Sequence, residues 1–377
     1  MFDYGDRRRR LAERMSAAGV DLLFVAPSAD LEYLTGLERQ IPSFGQSSHA
    51  NDWVAGAFFR SGGEPVFVLP RMTAAFDLGG HVPGEVVIVG ERDDGFAAFE
   101  RAARGQGPAR RVAVGDRVWA ETVLNLQRVF GADAVLAGSA LVNELRRTKS
   151  AEELAVMEQA CRIVDETMAA VSPHVIAGVT MVELVEEVEH QMRLRGSRAP
   201  SFPARVFTGF DESSIDSAGP SGTQPLREGQ SVMFDYGAVL HGYCSDFGRT
   251  IFCGEPPKDY REIYAVMLAA QEAGREAARP GVPACEVNRA CRAPIEEAGL
   301  GPYFRHRMGH GIGLDVHERP FISEEDEMPL EVGMTFTDEP SILRPGLAAV
   351  RIEDVVACEE GGARKLNSYP PDLVANA

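Results

Sequence analysis

The sequence predicts an α/β domain followed by an α+β domain, and three observations lead there. Through the first 140 residues, short apolar runs bounded by Gly, Pro or Ser alternate with helix-like segments. A capping box, Ser150 with Glu153 three residues on, then opens a long amphipathic pattern. Beyond it, β-rich runs return on themselves through glycine-containing turns, the mark of antiparallel hairpins. The length of 377 residues fits two domains of about 100 to 200 residues each.

In chain order, residues 7 to 18 carry a helical pattern that ends near Gly19, and Val20 to Val25 form a buried strand bounded by Pro27 and Ser28. Further strands are expected at Val54 to Phe59, Val66 to Leu69, Val86 to Val89 and Val112 to Val114, with helices over 94 to 105 and 120 to 130. The domain boundary falls just before the capping box, giving domains 1–145 and 146–377. The second domain begins with helices from Ser150 to 171 and over 180 to 195. After β-like runs come helices at 258 to 278 and 285 to 298, then strands to the end.

Hydrophobic residues make up 45% of the chain and charged residues 25%, values that permit a sizeable core and exclude a disordered or fibrous protein. Acidic residues outnumber basic ones by 56 to 38, and the formal charge of −18 repels phosphate backbones and anionic surfaces, so nucleic acid is not an expected partner. The N-terminus has no apolar segment behind its charged stretch, and no run of apolar residues is long enough to span a bilayer, so membrane partners are not expected either and a cytoplasmic location is. The six cysteines lie scattered without a CxxC spacing and read as reduced core thiols.

Two carboxylate pairs carry the chemistry. In VMFDYGAVLHGYCSDFGRTIF, a hairpin centred between Leu240 and His241 places Asp235 directly opposite Asp246, with Cβ atoms about 4.5 to 5.5 Å apart. Like charges so placed destabilise a sheet unless a cation lies between them. In FTDEPSILRPGLAAVRIEDVVA, Glu339 and Glu353 are equidistant from Gly346 and make a second facing pair. A single acid is usually a solvated one. Two pairs in matching geometry argue against that reading for these four.

Between the pairs, FRHRMGHGIGLDVHERP holds three of the eight histidines, His306, His310 and His317, with Gly309, Gly311 and Gly313 around the middle one. Repeated glycine permits close approach of backbone to something bulky or charged. Four carboxylates and one imidazole, without thiolates, suit Mn²⁺, Co²⁺, Fe²⁺ or Zn²⁺. Four negative charges are balanced by two divalent ions, and two metals about 3.5 to 4 Å apart would turn a bridging water into a nucleophile and polarise a carbonyl. The expected chemistry is metal-assisted hydrolysis.

At these residues the chain resembles the creatinase, prolidase, aminopeptidase P and methionine aminopeptidase family, M24, over essentially its whole length. The resemblance implies a pita-bread α+β catalytic domain behind an N-terminal α/β creatinase-type domain. The family's DxG and SDxxRT motifs fall on Asp235–Gly237 and Ser245–Thr250, GHGIG on His310, DEP on Glu339 and RIED on Glu353. The resemblance thus implies Asp235, Asp246, His310, Glu339 and Glu353 as ligands of two divalent ions, Mn²⁺ or Co²⁺ ahead of Zn²⁺ or Fe²⁺. It implies contact with substrate or the tetrahedral centre for His306 and His317, a place for Arg351 near the carboxylates or substrate, and the general base for Glu339.

The implied activity is cleavage of Xaa-Pro bonds in short peptides, as a prolidase (Xaa-Pro dipeptidase) or Xaa-Pro aminopeptidase, by a homodimer. One departure stands out: family peptidases commonly carry a histidine 17 residues before the first metal Asp, and that position here is Ala218. The alternative is a non-peptidase C–N hydrolase of a small metabolite on the same fold, creatinase-like or ectoine hydrolase-like. A sulfonium lyase would carry an acid where Gly237 stands, and a metal-free binding module of this fold would have lost ligands that are all present.

Overall fold

The structure, a computed structural model, describes residues 2–39, 51–78, 82–208, 222–344 and 348–376. The chain divides into two compact units, Met1–Arg146 and Arg147–Ala377.

The first unit is built on a six-stranded sheet in the order Glu85–Val89, Val66–Pro70, Gly56–Phe59, Leu22–Val25, Val112–Val114, Val135–Ala137. Leu22–Val25 pairs antiparallel with Gly56–Phe59 on one side and parallel with Val112–Val114 on the other. The apolar runs therefore become strands, and the helix-like stretches become Tyr4–Ala17, Gly95–Gly105 and Ala120–Phe130. Phe24, Phe58, Phe99 and Trp53 form the aromatic centre of the core, with ring centroids 4.8 to 5.4 Å apart. Three short helices, Ala29–Thr35, Arg71–Phe76 and Ser139–Arg147, escaped the sequence reading because two turns or so establish no apolar period.

The second unit has two halves of similar plan. In the first, helices Ala151–Val171 and Met181–Leu194, each opened by a complete capping box, pack their apolar faces on the sheet Val374–Asn376, Phe247–Cys253, Ser231–Tyr236, Arg205–Thr208. In the second, Lys258–Ala277 and Ala284–Glu297 cover the sheet Glu318–Ile322, Gly309–Gly311, Thr335–Asp338, Asp354–Glu359, Gly362–Lys365. Gly274 lets that helix pair approach closely, since a Cβ there would lie 2.4 Å from Met308 Cε and 3.1 Å from Cys291 Cβ. The two halves meet where Gly248 of one sheet bridges Glu353 beside the other, with Glu353 N–H donating to Gly248 O at 2.9 Å.

All six cysteines are free and five of them buried. Burial pushes the thiols of Cys161 and Cys291 well up, so they behave as the core fillers expected of them. Among the described residues no helix is long and apolar enough to cross a membrane.

Candidate metal centre

The first hairpin corrects one expectation. Its turn is centred between His241 and Gly242, at φ +46° and +84°, so Asp235 lies opposite Gly248 and not opposite Asp246. The dipeptide His241-Gly242 satisfies a turn that needs positive φ at both central residues, a requirement the symmetric count through Leu240 and His241 ignored. Moving the centre by one residue changes the partner by two, and two residues restore the same face of a strand. Asp235 and Asp246 therefore remain on one face as diagonal neighbours, and both are buried.

The second hairpin follows the expected register. Ser341 pairs with Arg351 in the outer ribbon and Asp338 with Asp354 in the sheet, which leaves Glu339 and Glu353 facing each other where the strands change sheet. Asp338 and Asp354, one residue on, point to the opposite face. Burial alone would raise the Asp354 carboxyl, but Arg249 and Lys365 beside it bring its pKa below the ordinary value.

Three of the carboxylates converge: Asp235, Asp246 and Glu353 each offer an oxygen, all within 4.8 Å of one another. On the other side of Asp246, His310 Nε2 lies 3.6 Å from its Oδ2 and 3.2 Å from Glu339 Oε1. The five donors thus form two groups that share Asp246.

Arg351 enters between them. One guanidinium nitrogen bonds Asp235 Oδ2 and lies 3.4 Å from Glu353 Oε2, while another reaches to 3.7 Å of Glu339 Oε2 and Nε donates to Ser341 Oγ at 2.8 Å. Burial works against its charge, and the carboxylates around it more than restore it, so its pKa lies above the ordinary value.

The electrostatics of the pocket favour a cation. Burial and mutual repulsion push the Asp246 and Glu353 carboxyls well above the ordinary carboxylate range. His310 is held down to about 4, chiefly by burial, and its Nδ1 faces Gly311 O at 3.1 Å. A neutral ring with Nδ1–H on that carbonyl turns the lone pair of Nε2 towards two carboxylates. Asp246 Oδ1 is buried with no hydrogen-bond partner among the described residues. An inward lone pair, an orphaned oxygen and four acids against one guanidinium all fit divalent metal, the hard-oxygen and imidazole set such ions take.

Several residues that hold this arrangement were not singled out by sequence. Gly248 lies at the junction: a Cβ there would come 2.6 Å from Arg351 Cδ and 2.7 Å from Glu353 Oε2. Thr337 Oγ1 accepts from His310 N–H at 3.0 Å and donates to Glu339 Oε1 at 3.1 Å, tying the histidine to one acid. Arg249 is buried behind them, donating to Asp354 Oδ1 at 2.7 Å and to the Glu353 carbonyl at 2.7 Å. The available signals were a glycine inside a strand pattern for Gly248 and, for Arg249, its place as the arginine of the SDxxRT motif.

Of the other expected residues, His317 has its ring centroid 4.0 Å from that of His310, the two planes tilted by 47°. His306 Nε2 is buried without a partner among the described residues, and its Nδ1 faces Arg307 O at 2.6 Å. Ala218 lies outside the described residues, as do Pro345 and Gly346 of the second turn.

Fold and donor set together define a class, the metallopeptidases that carry a carboxylate and imidazole cluster between two sheets. The chain belongs to metallopeptidase family M24, whose model matches residues 155–360, and the creatinase/prolidase N-terminal domain matches residues 7–148. Family membership implies divalent metal ions. The chain is 30% identical to a putative dipeptidase, YkvY, of Bacillus subtilis over 98% of its own length and 99% of the relative's. It is 38% identical to a Xaa-Pro dipeptidase of Pyrococcus furiosus over 62% of this chain and 67% of that one. Among solved structures, a prolidase from Thermococcus sibiricus superposes with a TM-score of 0.89 at 28% identity, covering the whole of both chains.

Proposed function

We propose that this protein is a two-metal peptidase that cleaves the bond before proline in short peptides, a prolidase-like Xaa-Pro dipeptidase ahead of an Xaa-Pro aminopeptidase. The observation that carries the metal part is the pair of donor groups sharing Asp246. The Xaa-Pro dipeptidase of P. furiosus and the T. sibiricus prolidase support the substrate part.

In this reading Asp235, Asp246 and Glu353 would hold one ion and His310 and Glu339, with Asp246, the other, and Mn²⁺ or Co²⁺ would be the preferred metals. When bound, such ions supply an activated water and polarise the scissile carbonyl. Glu339 is the proton acceptor, and Thr337 orients its Oε1. His317, whose ring lies beside that of His310, offers a ring nitrogen to the developing oxyanion, and His306, with a free buried Nε2, a second one. Arg351 holds Asp235, Glu339 and Glu353 in mutual register. The same reading takes the enzyme as a cytoplasmic homodimer with its domain boundary near residue 145, which light scattering and limited proteolysis test.

The deciding experiment is a turnover screen of the Mn²⁺- and Co²⁺-loaded protein on Xaa-Pro dipeptides, Xaa-Pro-Xaa tripeptides and ectoine. Cleavage of the dipeptides, abolished by chelation and by Glu353→Ala together with metal loss, is the expected result. Turnover of ectoine alone would overturn the peptidase assignment, and full activity in a verified metal-free protein would overturn the metal assignment.

A further inference from the structure

Beside the metal centre lies a buried ion pair to which the proposed mechanism gives no part. Lys149 Nζ and Glu318 Oε2 are 3.1 Å apart, and their side chains are 1% and 8% exposed. Surface pairs contribute little, but a desolvated pair is held by both partners and fails when one is removed. Lys149 is itself bolted down: its N–H donates to Gly333 O at 2.8 Å, and its Nζ also donates to Arg147 O at 3.3 Å. Glu318 uses its other oxygen, Oε1, to accept from Asp315 N–H at 3.0 Å.

That carboxylate therefore clamps the loop Gly313–Glu318 from inside. The loop's far end is anchored too, since Gly313 O accepts from Cys244 N–H at 2.7 Å and Gly313 N–H donates to Asp315 O at 3.0 Å. Gly313 makes room for the pair: a Cβ there would lie 2.8 Å from Glu318 Oε2 and 2.9 Å from Lys149 Cε. The third glycine of GHGIG thus clears space for an ion pair and not for a metal or substrate. His317 is the residue immediately before Glu318, and Glu318 pairs across the ladder with Gly311, next to His310.

We propose that Lys149 is a positioning residue that acts through Glu318 to hold the Gly313–Glu318 loop and so aims the His317 ring over His310. The inference rests on the peptidase reading only in giving His317 a catalytic role; the ordering of the loop does not depend on it. Without the ammonium, the buried Glu318 carboxylate loses the cation 3.1 Å from it, and the segment it holds, with Asp315 and the His317 backbone, loosens.

The test compares Lys149→Met, Glu318→Gln, the double variant Lys149→Met/Glu318→Gln, His317→Ala and Lys149→Met/His317→Ala in the metal-loaded full chain. Amide hydrogen exchange of the segment 313–322 reads the loop without reference to activity. Lys149→Met should speed that exchange about 10-fold or more. On the best Xaa-Pro dipeptide it should lower kcat about 10-fold with little change in KM and with metal content retained. The Lys149→Met/Glu318→Gln variant should recover most of both, because a neutral Gln still accepts from Asp315 N–H and leaves no buried charge. In the His317→Ala background Lys149→Met should cost nothing further.

Unchanged exchange, loss of metal, or losses that add to those of His317→Ala would each overturn the proposal. Should Lys149→Met fail to fold, Glu318→Gln alone carries the exchange comparison, with faster exchange expected and an unchanged rate overturning. A wild-type protein that cleaves no Xaa-Pro peptide sinks the peptidase reading, while the exchange rates still decide whether the ion pair holds the loop.

Discussion

Gly248 carries a steric constraint made by two site residues, because a Cβ there would face Arg351 and Glu353 at once. Gly248→Ala forces one of them aside in a packed strand, an overpacking that costs about 1 to 3 kcal/mol. The expected outcome is a metal affinity reduced at least about 10-fold, as a displaced donor loses roughly 1.4 kcal/mol of binding. Calorimetric titration with Mn²⁺ reads it, and unchanged affinity would show that the junction yields freely. His317 makes a contrasting case, since its ring lies beside that of a proposed ligand, with centroids 4.0 Å apart. His317→Ala should lower turnover by about 10²-fold with metal content near normal, the signature of lost transition-state contact. A parallel loss of metal would place His317 among the ligands instead.

At the scale of elements, the helices that cover the sheets are set by their ends. Thr180 Oγ1 accepts from Glu183 N–H at 3.2 Å, and Glu183 Oε2 accepts from Thr180 N–H at 2.8 Å, so the helix Met181–Leu194 starts with two otherwise unpaired amides satisfied. Thr180→Ala removes one of these bonds and should cost about 1 kcal/mol. No atom of this cap takes part in the proposed chemistry, so thermal denaturation should register the change and kcat should not. A drop in kcat as large as the drop in stability would mean that the helix end communicates with the metal centre.

The hairpins show how element geometry delivers chemistry. Each places two acids on one strand face, and the Gly248 to Glu353 bridge then brings the two faces together.

At the scale of the molecule, all five proposed ligands lie in the unit Arg147–Ala377. Metal should therefore stabilise that unit by about 2.7 kcal/mol for each ion bound at a free concentration 100 times its Kd and leave Met1–Arg146 untouched. Scanning calorimetry should resolve two transitions, of which Mn²⁺ moves one; a single transition that moves as a whole would show that the units unfold together.

The pH dependence follows from the raised Asp246 and Glu353 carboxyls. Metal-free, the folded state holds these protons more tightly than the unfolded chain does. That contribution is present at low pH and is lost as pH rises from the ordinary carboxylate range through the raised values. Metal binding displaces the same protons, so the metal-induced rise in Tm should be larger at pH 8 than at pH 5.5. An equal rise at both would mean that the acids are already ionised before metal binds.

Sequence alone named the five candidate donors and put the two acids of each hairpin on one strand face. Strand parity kept Asp235 and Asp246 on one face even though the turn centre was misplaced by one residue, and the count about Gly346 paired Glu339 with Glu353 in the observed register. Apolar patterning marked the long helices of both units and most strands of the first, because burial of one face is a local property that repeats along the chain.

Only the tertiary structure decided which donors share a space. The grouping around Asp246, the entry of Arg351 between the acids, the bond from Thr337 to Glu339 and the demand for glycine at 248 all arise where two hairpins distant in sequence meet. Local patterns carry no information about such a meeting, since the residues involved pack against partners that the chain brings together only when both sheets have formed.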